Sequence, residues 1–399
     1  MFNFRPPQNE ILISCAFFFP EIFYFQIQDF EVFTQEFNDD GVETPTSVAL
    51  KEMNSEIRKV LADSAQFKKE KFKTFVMSRM YSTIITMREE SFESWQPFYA
   101  LLPIIITGQE NQIDLQKFIS NTIQFLKNRE SVHCGWGPSN YEYPQMVPLY
   151  GNLILLGLLG TEEAYELADR KKFYQYIMSC KNPDGSFSSC PGFGTDLRTT
   201  FSALFVAWIL NIITPELSTG LVDFVKSCQT YEGGFSPIPN AEAHGGYTYC
   251  AIGILYILNK LHEININTVI RFIADRQDSF SGGFNGRTGK LVDSCYCWWV
   301  GSPARILANY LDIGPFWDDK AIYQFLLRVV QGKYGGFCDH PPNLSDSFHT
   351  LFGSAGLAVV ANLEPEYSSD VPKTETISSI PIEKFEKIKK YFESKPFVL

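Results

Sequence analysis

No apolar segment of this sequence is long enough to cross a bilayer. The most apolar stretch, residues 11–27, is interrupted by Pro20 and Glu21, and neither half reaches the roughly 20 residues that a spanning helix needs. A basic leader region of the secretory kind is missing as well. We therefore expect a cytoplasmic protein without a membrane span, in which residues 11–27 dock as a helix or extended arm on this or another chain.

Basic charge is also scarce. The chain has 34 Lys and Arg against 45 Asp and Glu, which gives a net charge of −11 at pH 7. Because a nucleic-acid binder should show a basic face, nucleic acid is not an expected partner. The 9 cysteines are odd in number and scattered. This pattern predicts reduced thiols rather than a disulfide framework.

Strand patterns are weak, since no run alternates convincingly with a period of two. The sequence contains a repeat instead. Glycine loops of related sequence (CGWGP, PDGSF, YEGGF, FSGGF and KYGGF) recur about every 50 residues. The aromatic residues of these loops are Trp136, Phe187, Phe235, Phe284 and Phe337.

The segments between the glycine loops have helical patterns. Residues 197–213 and 247–261 are apolar on most sides, as buried helices are, whereas 221–229 and 267–277 are amphipathic. An earlier unit without a glycine loop fits residues 91–106, so the chain has about six units. The repeat predicts an all-α fold, an α/α barrel (α6–α6 toroid) in which inner helices form a ring that outer helices surround.

The repeat also divides the chain. The predicted barrel domain covers residues 76–365. Residues 1–75 form an N-terminal arm and helix outside the repeats and are a candidate surface for a partner. Residues 366–399 form a C-terminal extension that we expect to pack on the barrel, with a helix at 382–392.

Equivalent positions in successive units should lie at the same rim of a ring. Counted from each loop aromatic, Arg198, Tyr247, Cys295 and His349 all fall at the start of an inner helix. Cys295 and His349 should therefore be neighbours. With Asp293 they offer one oxygen, one sulfur and one nitrogen, the donor set of a zinc site with an open fourth position.

Residues close to these three candidate ligands have other interpretations. Asp346 could orient the imidazole of His349 as an outer-shell partner. A lone cysteine is usually a small buried apolar residue, and Cys297 is interpreted in that way. His244, Arg287, Lys290 and Tyr296 converge on helix N-termini, a setting that favours a phosphate or diphosphate. The alternative is that Arg287 and Lys290 form a solvated loop.

Together these motifs resemble one family. Residues 75–395, and in particular LVDSCYCWW, EAHGGYTYC, GFNGRTGK and SDSFHT, are similar to the β subunits of the protein prenyltransferases. Residues 160–187 and 211–217 are especially similar to the farnesyl-transferring members. The resemblance implies transfer of a prenyl group to a cysteine thiol near a protein's C-terminus, with a separate α subunit as partner.

The resemblance also implies roles for matching residues. Asp293, Cys295 and His349 would hold Zn²⁺, and Asp339 would help to place Mg²⁺. His244, Arg287, Lys290 and Tyr296 would bind the diphosphate, with Lys290 and Tyr296 assisting catalysis. The residues that would line the isoprenoid cavity are Arg198, Tyr247, Cys250, Trp299 and Tyr99.

Bulky residues imply the choice of donor. Trp95, Tyr150 and Phe348 match floor or wall positions of farnesyl enzymes, which favours farnesyl diphosphate and substrates with a C-terminal CaaX motif, such as small GTPases. Residues 298–307 and 349–357 look more like type I geranylgeranyl enzymes, and Phe201 replaces a common Tyr, so geranylgeranyl transfer or relaxed specificity is the alternative.

Two further alternatives belong to other classes. A terpene cyclase that begins by protonation needs an acidic D-x-D-D cluster, and the sequence has none. A non-catalytic helical-repeat protein with structural zinc should have four protein ligands, whereas three are in register.

Overall fold

The structure is a computed structural model, and it describes residues 43–63, 68–80, 93–139, 142–361 and 371–398. The arm predicted at residues 11–27 lies outside these ranges. The described residues contain only isolated bridges between loop residues and no strand. None of their helices is both long and apolar enough to span a bilayer.

The described helices alternate along the chain between an inner and an outer position. In chain order the labelled helices are α1 (Pro45–Asp63), α2 (Lys69–Met80), α3 (Gln96–Ile106), α4 (Leu115–Lys127), α5 (Met146–Leu159), α6 (Arg170–Ser179), α7 (Leu197–Ile209), α8 (Leu221–Ser227), α9 (Gly245–Ile257), α10 (Ile266–Ala274), α11 (Tyr296–Trp299), α12 (Gly301–Leu311), α13 (Asp319–Gln324), α14 (Ser347–Ala361) and α15 (Ile382–Glu393). Two single-turn helices, Glu162–Tyr165 and Pro215–Ser218, lie in the connections before α6 and α8. The inner helices are α3, α5, α7, α9, the broken pair α11 and α12, and α14, and the outer helices are α2, α4, α6, α8, α10 and α13.

The inner helices form a closed ring. Each contacts the next in chain order, and α14 returns to α3. Helix α5 shows why the ring forms, since nearly all of its residues are buried between neighbours on both sides. Closure removes from water the apolar surface that an open stack would leave exposed. The predicted α/α barrel is therefore confirmed.

A hydrogen bond recurs between three of the glycine loops and the inner helix that follows each of them. The main-chain N–H of the loop aromatic donates to a threonine hydroxyl 13 residues later, at 3.0–3.1 Å. The pairs are Phe187 with Thr200, Phe235 with Thr248, and Phe337 with Thr350. In the Phe284 repeat the thiol of Cys297 takes this position and accepts from the main chain of Phe284, whereas the Trp136 loop is followed by Leu149 at the same distance. The interpretation of Cys297 as packing alone is incomplete, because it also ties a loop to its helix.

The outer layer begins earlier than the sequence suggests. Helix α2 packs against α3, and its buried Phe72 contacts the ring of Phe337 with centroids 5.1 Å apart. The boundary expected between residues 75 and 76 therefore falls inside an outer helix. Helix α1 lies outside the ring against the π-helical turn that follows α13.

The C-terminal extension packs on the end of the barrel where α5 and α7 terminate. Lys384 of α15 donates to the carbonyl of Leu158 at 2.8 Å, and Lys389 donates to that of Trp208 at 2.6 Å. Cations are favourable at helix C-termini, where carbonyl groups lack helical partners. The extension thus covers one end of the barrel and leaves the other, with the N-termini of the inner helices, as the mouth.

Candidate metal centre and anion cleft

The mouth is built from one capping position that recurs in four repeats. Its occupants, Asp196, His244, Asp293 and Asp346, each accept a main-chain N–H two or three residues further on, at 2.8–3.0 Å. Such side-chain caps satisfy amide groups that the first helical turn leaves unpaired. The residues after each cap are thereby held at the mouth in a common register.

Two of these caps bring a candidate metal centre together. One ligand atom from each of Asp293, Cys295 and His349 lies within 4.8 Å of the other two. The Nε2 atom of His349 is 3.4 Å from a carboxylate oxygen of Asp293. Zinc bonds of about 2.0–2.3 Å place tetrahedral ligand atoms about 3.3–3.8 Å apart, so the three residues fit a zinc ion after contracting by about 1 Å.

The carboxylate of Asp346 orients the imidazole of His349. Its Nδ1 atom lies 2.7 Å from Asp346 Oδ2, while Oδ1 of the same carboxylate accepts the His349 amide at 2.8 Å. This arrangement turns Nε2 toward Asp293 and Cys295. A histidine that ligates a metal usually donates its other ring N–H to a carboxylate in this way.

The electrostatics of the centre favour a positive charge. Burial alone would lower the pKa of His349, but hydrogen bonds and charges from Asp293 and Asp346 outweigh burial and raise this pKa to about 10. Burial, reinforced by Asp293, raises the pKa of Cys295 well above its usual range. The two carboxylates therefore favour a positive charge at this position, which a metal ion bound to this donor set would supply.

A polar cleft adjoins the candidate metal centre. A cavity of about 270 Å³ opens at the mouth. Asp293 belongs both to its lining and to the candidate metal group. The lining residues are His244, Gly286, Arg287, Lys290, Leu291, Val292, Asp293, Tyr296, Asp339 and His340.

Two aromatic side chains of the cleft share one hydrogen bond. His244 Nδ1 accepts from the amide of Gly246 at 3.0 Å, so the ring proton is on Nε2, which lies 3.0 Å from the Tyr296 hydroxyl. Burial and then Arg287 lower the pKa of His244, which favours this neutral form. Because Nε2 donates to the Tyr296 oxygen, the hydroxyl proton of Tyr296 is free to donate to an anion in the cleft.

The cleft has two cationic side chains and a second carboxylate besides Asp293. Arg287 is paired with Glu242 at 2.7 Å, and Lys290 is exposed. Asp339 accepts a hydrogen bond from Asn343 at 2.9 Å, and its main-chain carbonyl accepts from the amide of Ser294, beside Asp293. The cleft thus carries cations on one side and a second carboxylate near the metal centre.

Aromatic side chains line the inside of the ring from the mouth to the opposite end. Phe348 at the mouth is 38% exposed, and Tyr249 is 1% exposed. Neighbouring rings have centroids 4.3–5.6 Å apart. In order, the rings are Phe348, Phe352, Trp299, Tyr249, Phe201 and Tyr150.

Trp95 occupies a further part of this wall. Its indole packs against Gly151 so closely that a Cβ added there would lie 2.1 Å from the ring, and its ring also contacts Tyr99. Deeper in the barrel the hydroxyl of Tyr249 donates to the carbonyl of Ile377 and lies 3.0 Å from that of Tyr150. The C-terminal extension therefore fixes the end of the aromatic wall.

Three residues implied as cavity lining differ in position. Cys250 is buried, and Tyr247 lies against His244 near the mouth. Arg198 is exposed and paired with Asp196 at 3.0 Å, so its guanidinium lies at the mouth rather than among the aromatic residues. A local carboxylate at the cap holds it there.

Sequence reasoning missed two contributors. Glu242, the partner of Arg287, gives no pattern that distinguishes it from other exposed acids. The threonines that accept a hydrogen bond from the loop aromatics, called the loop-tying residues, could have been found from the sequence. Thr200, Thr248 and Thr350 occur at a constant distance after the loop aromatics.

Comparisons with known proteins agree with this architecture. Residues 67–389 match the family described as prenyltransferase alpha-alpha toroid domain. The chain therefore belongs to the prenyltransferase α–α toroid family. A solved structure of Candida albicans protein geranylgeranyltransferase-I complexed with GGPP superimposes with a TM-score of 0.71 at 21% identity, covering 82% of this chain and 100% of that chain. At this identity the likeness concerns the fold.

The relatives by sequence include several protein farnesyltransferase β subunits, which confirms the resemblance to this branch. They also include the geranylgeranyl transferase type-2 β subunit of Saccharomyces cerevisiae, which is 34% identical over 250 residues. The Schizosaccharomyces pombe subunit is 31% identical over 289 residues, which is 70% of this chain and 75% of that protein. The Dictyostelium discoideum subunit is 44% identical over 236 residues, or 54% of this chain. The match spans 47% of the Dictyostelium subunit, about half its length.

Proposed function

We propose that this chain is the catalytic β subunit of a zinc-dependent protein farnesyltransferase that acts in the cytoplasm. The observation that supports this most directly is the position of Asp293. It belongs to the candidate metal group and also lines the polar cleft. A thiol directed to the metal centre and a diphosphate in the cleft would therefore lie side by side.

The reaction joins a cysteine sulfur to C1 of the prenyl group. The C–S bond forms as the C1–O bond breaks, the diphosphate leaves, and the thiol proton passes to solvent. Zinc held by Asp293, Cys295 and His349 would supply Lewis acidity that keeps a substrate thiol ionised at neutral pH, where a thiol of pKa about 8.5 is mostly protonated.

The residues of the cleft act on the leaving group. The Tyr296 hydroxyl donates to the diphosphate, and Arg287 and Lys290 supply positive charge as negative charge grows on the departing oxygens. Donors already fixed in place stabilise a transition state more effectively than water does. Asp339 lies in the same cleft and would help to hold Mg²⁺ with the diphosphate.

The aromatic wall favours a donor of limited length. Each buried CH₂ group contributes about 0.8 kcal/mol, so the wall binds an isoprenoid chain strongly. Trp95, packed on Gly151, takes up space that a longer chain would need. Farnesyl diphosphate is accordingly the proposed donor, with type I geranylgeranyl transfer or relaxed specificity as the alternative.

The proposed partners are an α subunit and proteins that end in a CaaX motif. The chain expressed alone should be poorly soluble and inactive, and coexpression with an α subunit should restore both properties. Good activity from the isolated chain would contradict the heterodimer.

The decisive experiment uses the coexpressed heterodimer, tritiated farnesyl diphosphate and a peptide ending in CaaX. We expect label on the peptide only when zinc is present, loss of transfer after chelation, recovery on adding Zn²⁺, and no label on the matched peptide with Ser in place of Cys. No transfer to any peptide would contradict the function. Geranylgeranyl transfer tenfold faster on every peptide would overturn the choice of donor.

A further inference from the structure

In the loop that carries Arg287 and Lys290, the side chain of Thr288 makes its hydrogen bonds to residues outside the cleft. Thr288 lies between them but is absent from the cleft lining. Its hydroxyl accepts from Arg276 Nη1 at 3.1 Å and donates to a carboxylate oxygen of Glu232 at 2.9 Å. Glu232 belongs to the glycine loop of the preceding repeat, so Thr288 links two repeats.

Arg276 is a buried anchor for this contact. Only 6% of it is exposed, and its Nε donates to the carbonyl of Phe272 at 3.3 Å. Burial lowers the pKa of Arg276, and the nearby carboxylates of Asp275 and Glu232 oppose that effect. A buried guanidinium needs such partners, because an uncompensated buried charge is strongly destabilising.

The base of the loop is fixed in another way. Gly286 accepts a hydrogen bond from the amide of Gly245 at 2.7 Å, and a Cβ at Gly286 would lie 2.1 Å from the Tyr296 ring. The tip beyond it bends at Gly289, whose φ is +69°. Thr288 is thus the residue through which the tip, with its two cations, is tied to the buried Arg276.

We propose that Thr288 and Arg276 are positioning residues that hold Arg287 and Lys290 over the cleft in the geometry that binds the prenyl diphosphate. This inference depends on the proposed function. Fixing the loop before the donor arrives lowers the entropy lost on binding, so the affinity for the donor should depend on the Thr288 hydroxyl.

The test measures the Kd of the heterodimer for farnesyl diphosphate. Thr288→Val removes the hydroxyl with little change of shape and should weaken binding about tenfold, as expected when a hydrogen bond to a charged group is lost. Thr288→Ser keeps the hydroxyl and should bind within about twofold of the unmodified protein, since it retains both contacts. Thr219→Val, which removes an exposed hydroxyl bonded within its own turn, controls for the substitution itself.

A double-mutant cycle with Arg276→Met makes the assignment specific. If Arg276 acts through Thr288, the doubly substituted protein should bind the donor no more weakly than Thr288→Val. The KM for the peptide should stay unchanged in all variants. Unchanged donor affinity in Thr288→Val, or an equal loss for donor and peptide, would overturn the inference alone. Failure of the unmodified heterodimer to bind farnesyl diphosphate would overturn it together with the proposed function.

Discussion

Two inner-helix starts, at Asp196 and at Asp293, share one main-chain frame. Each carboxylate accepts the amide two residues further on at 2.8 Å. Four residues after each cap, Thr200 in one helix and Cys297 in the other accept the N–H of the loop aromatic. The frame is therefore the same, although one helix adjoins the candidate metal centre and the other does not.

The two starts differ in the residue between the cap and the loop-tying position. Arg198 turns back to its own cap and remains exposed. Cys295 is buried and lies within 4.8 Å of the ligand atoms of Asp293 and His349. The comparison teaches that capping and loop-tying positions build the barrel, while the positions between them are free to carry chemistry.

The largest effect on turnover is expected from one member of a matched pair of substitutions within one repeat. Cys295→Ser replaces a zinc ligand, and we expect turnover to fall by more than about a hundredfold, beyond the 10–100-fold typical of outer-shell changes. Cys297→Ser keeps an acceptor for the Phe284 amide without adding an atom, so turnover should stay within about twofold. The measurements are the rate of farnesyl transfer and the zinc content of each purified variant. Equal losses in the two variants would show that Cys295 has no special role.

A smaller effect should separate the cap carboxylates of two repeats. Asp346→Asn keeps a cap but weakens the contact that orients His349, and we expect zinc affinity to fall about 10–100-fold. Asp196→Asn makes the same change where no metal centre exists. Since Asn is as good a helix cap as Asp, the zinc affinity of the Asp196→Asn variant should match that of the unmodified protein. Competition with a zinc-binding dye measures both, and an equal loss would contradict the role of Asp346.

The sequence predicts that Asp293, Cys295 and His349 lie together, as the structure has them, because a repeat constrains register. Once each loop aromatic is aligned, Cys295 and His349 must start neighbouring helices of any closed ring. The start of the barrel is harder to predict, since no glycine loop precedes α2. The contact of Phe72 with Phe337 joins residues that are far apart in the sequence, near the two ends of the domain. Closure of the ring depends on contacts between distant parts of the chain, which local sequence patterns do not predict.

Ion pairs at the mouth are also not predictable from the sequence. Glu242 and Arg287 are far apart along the chain, and their contact depends on how two exposed loops bend. Arg198 illustrates the same difficulty, because its pairing with the cap decides which way the side chain points. Exposed charged side chains have several partners within reach, so spacing alone does not choose among them.

The first inner helix, α3, differs from the helix starts at Asp196 and Asp293 because Trp95 stands at its N-cap position in place of a side-chain cap. Trp95→Thr should free the space over Gly151 and raise the ratio of geranylgeranyl to farnesyl transfer on the order of tenfold, the scale on which pocket size discriminates substrates. Gly151→Ala is the opposed variant. Its Cβ would push the indole into the cavity, so binding of both donors should weaken. Competition between the two diphosphates measures the ratio, and an unchanged ratio in Trp95→Thr would show that another residue sets chain length.

The smallest effect on turnover should come from the loop-tying position in the repeat without the metal centre. Thr200→Val leaves the buried N–H of Phe187 without its partner, and we expect a loss of about 1–3 kcal/mol in the free energy of unfolding. Thr200→Ser keeps the acceptor and should lose less. Because the frame is separate from the chemistry, turnover per folded molecule should be unchanged in both variants. Denaturant unfolding followed by an activity assay tests this, and reduced turnover at unchanged stability would mean that frame and chemistry are not separable.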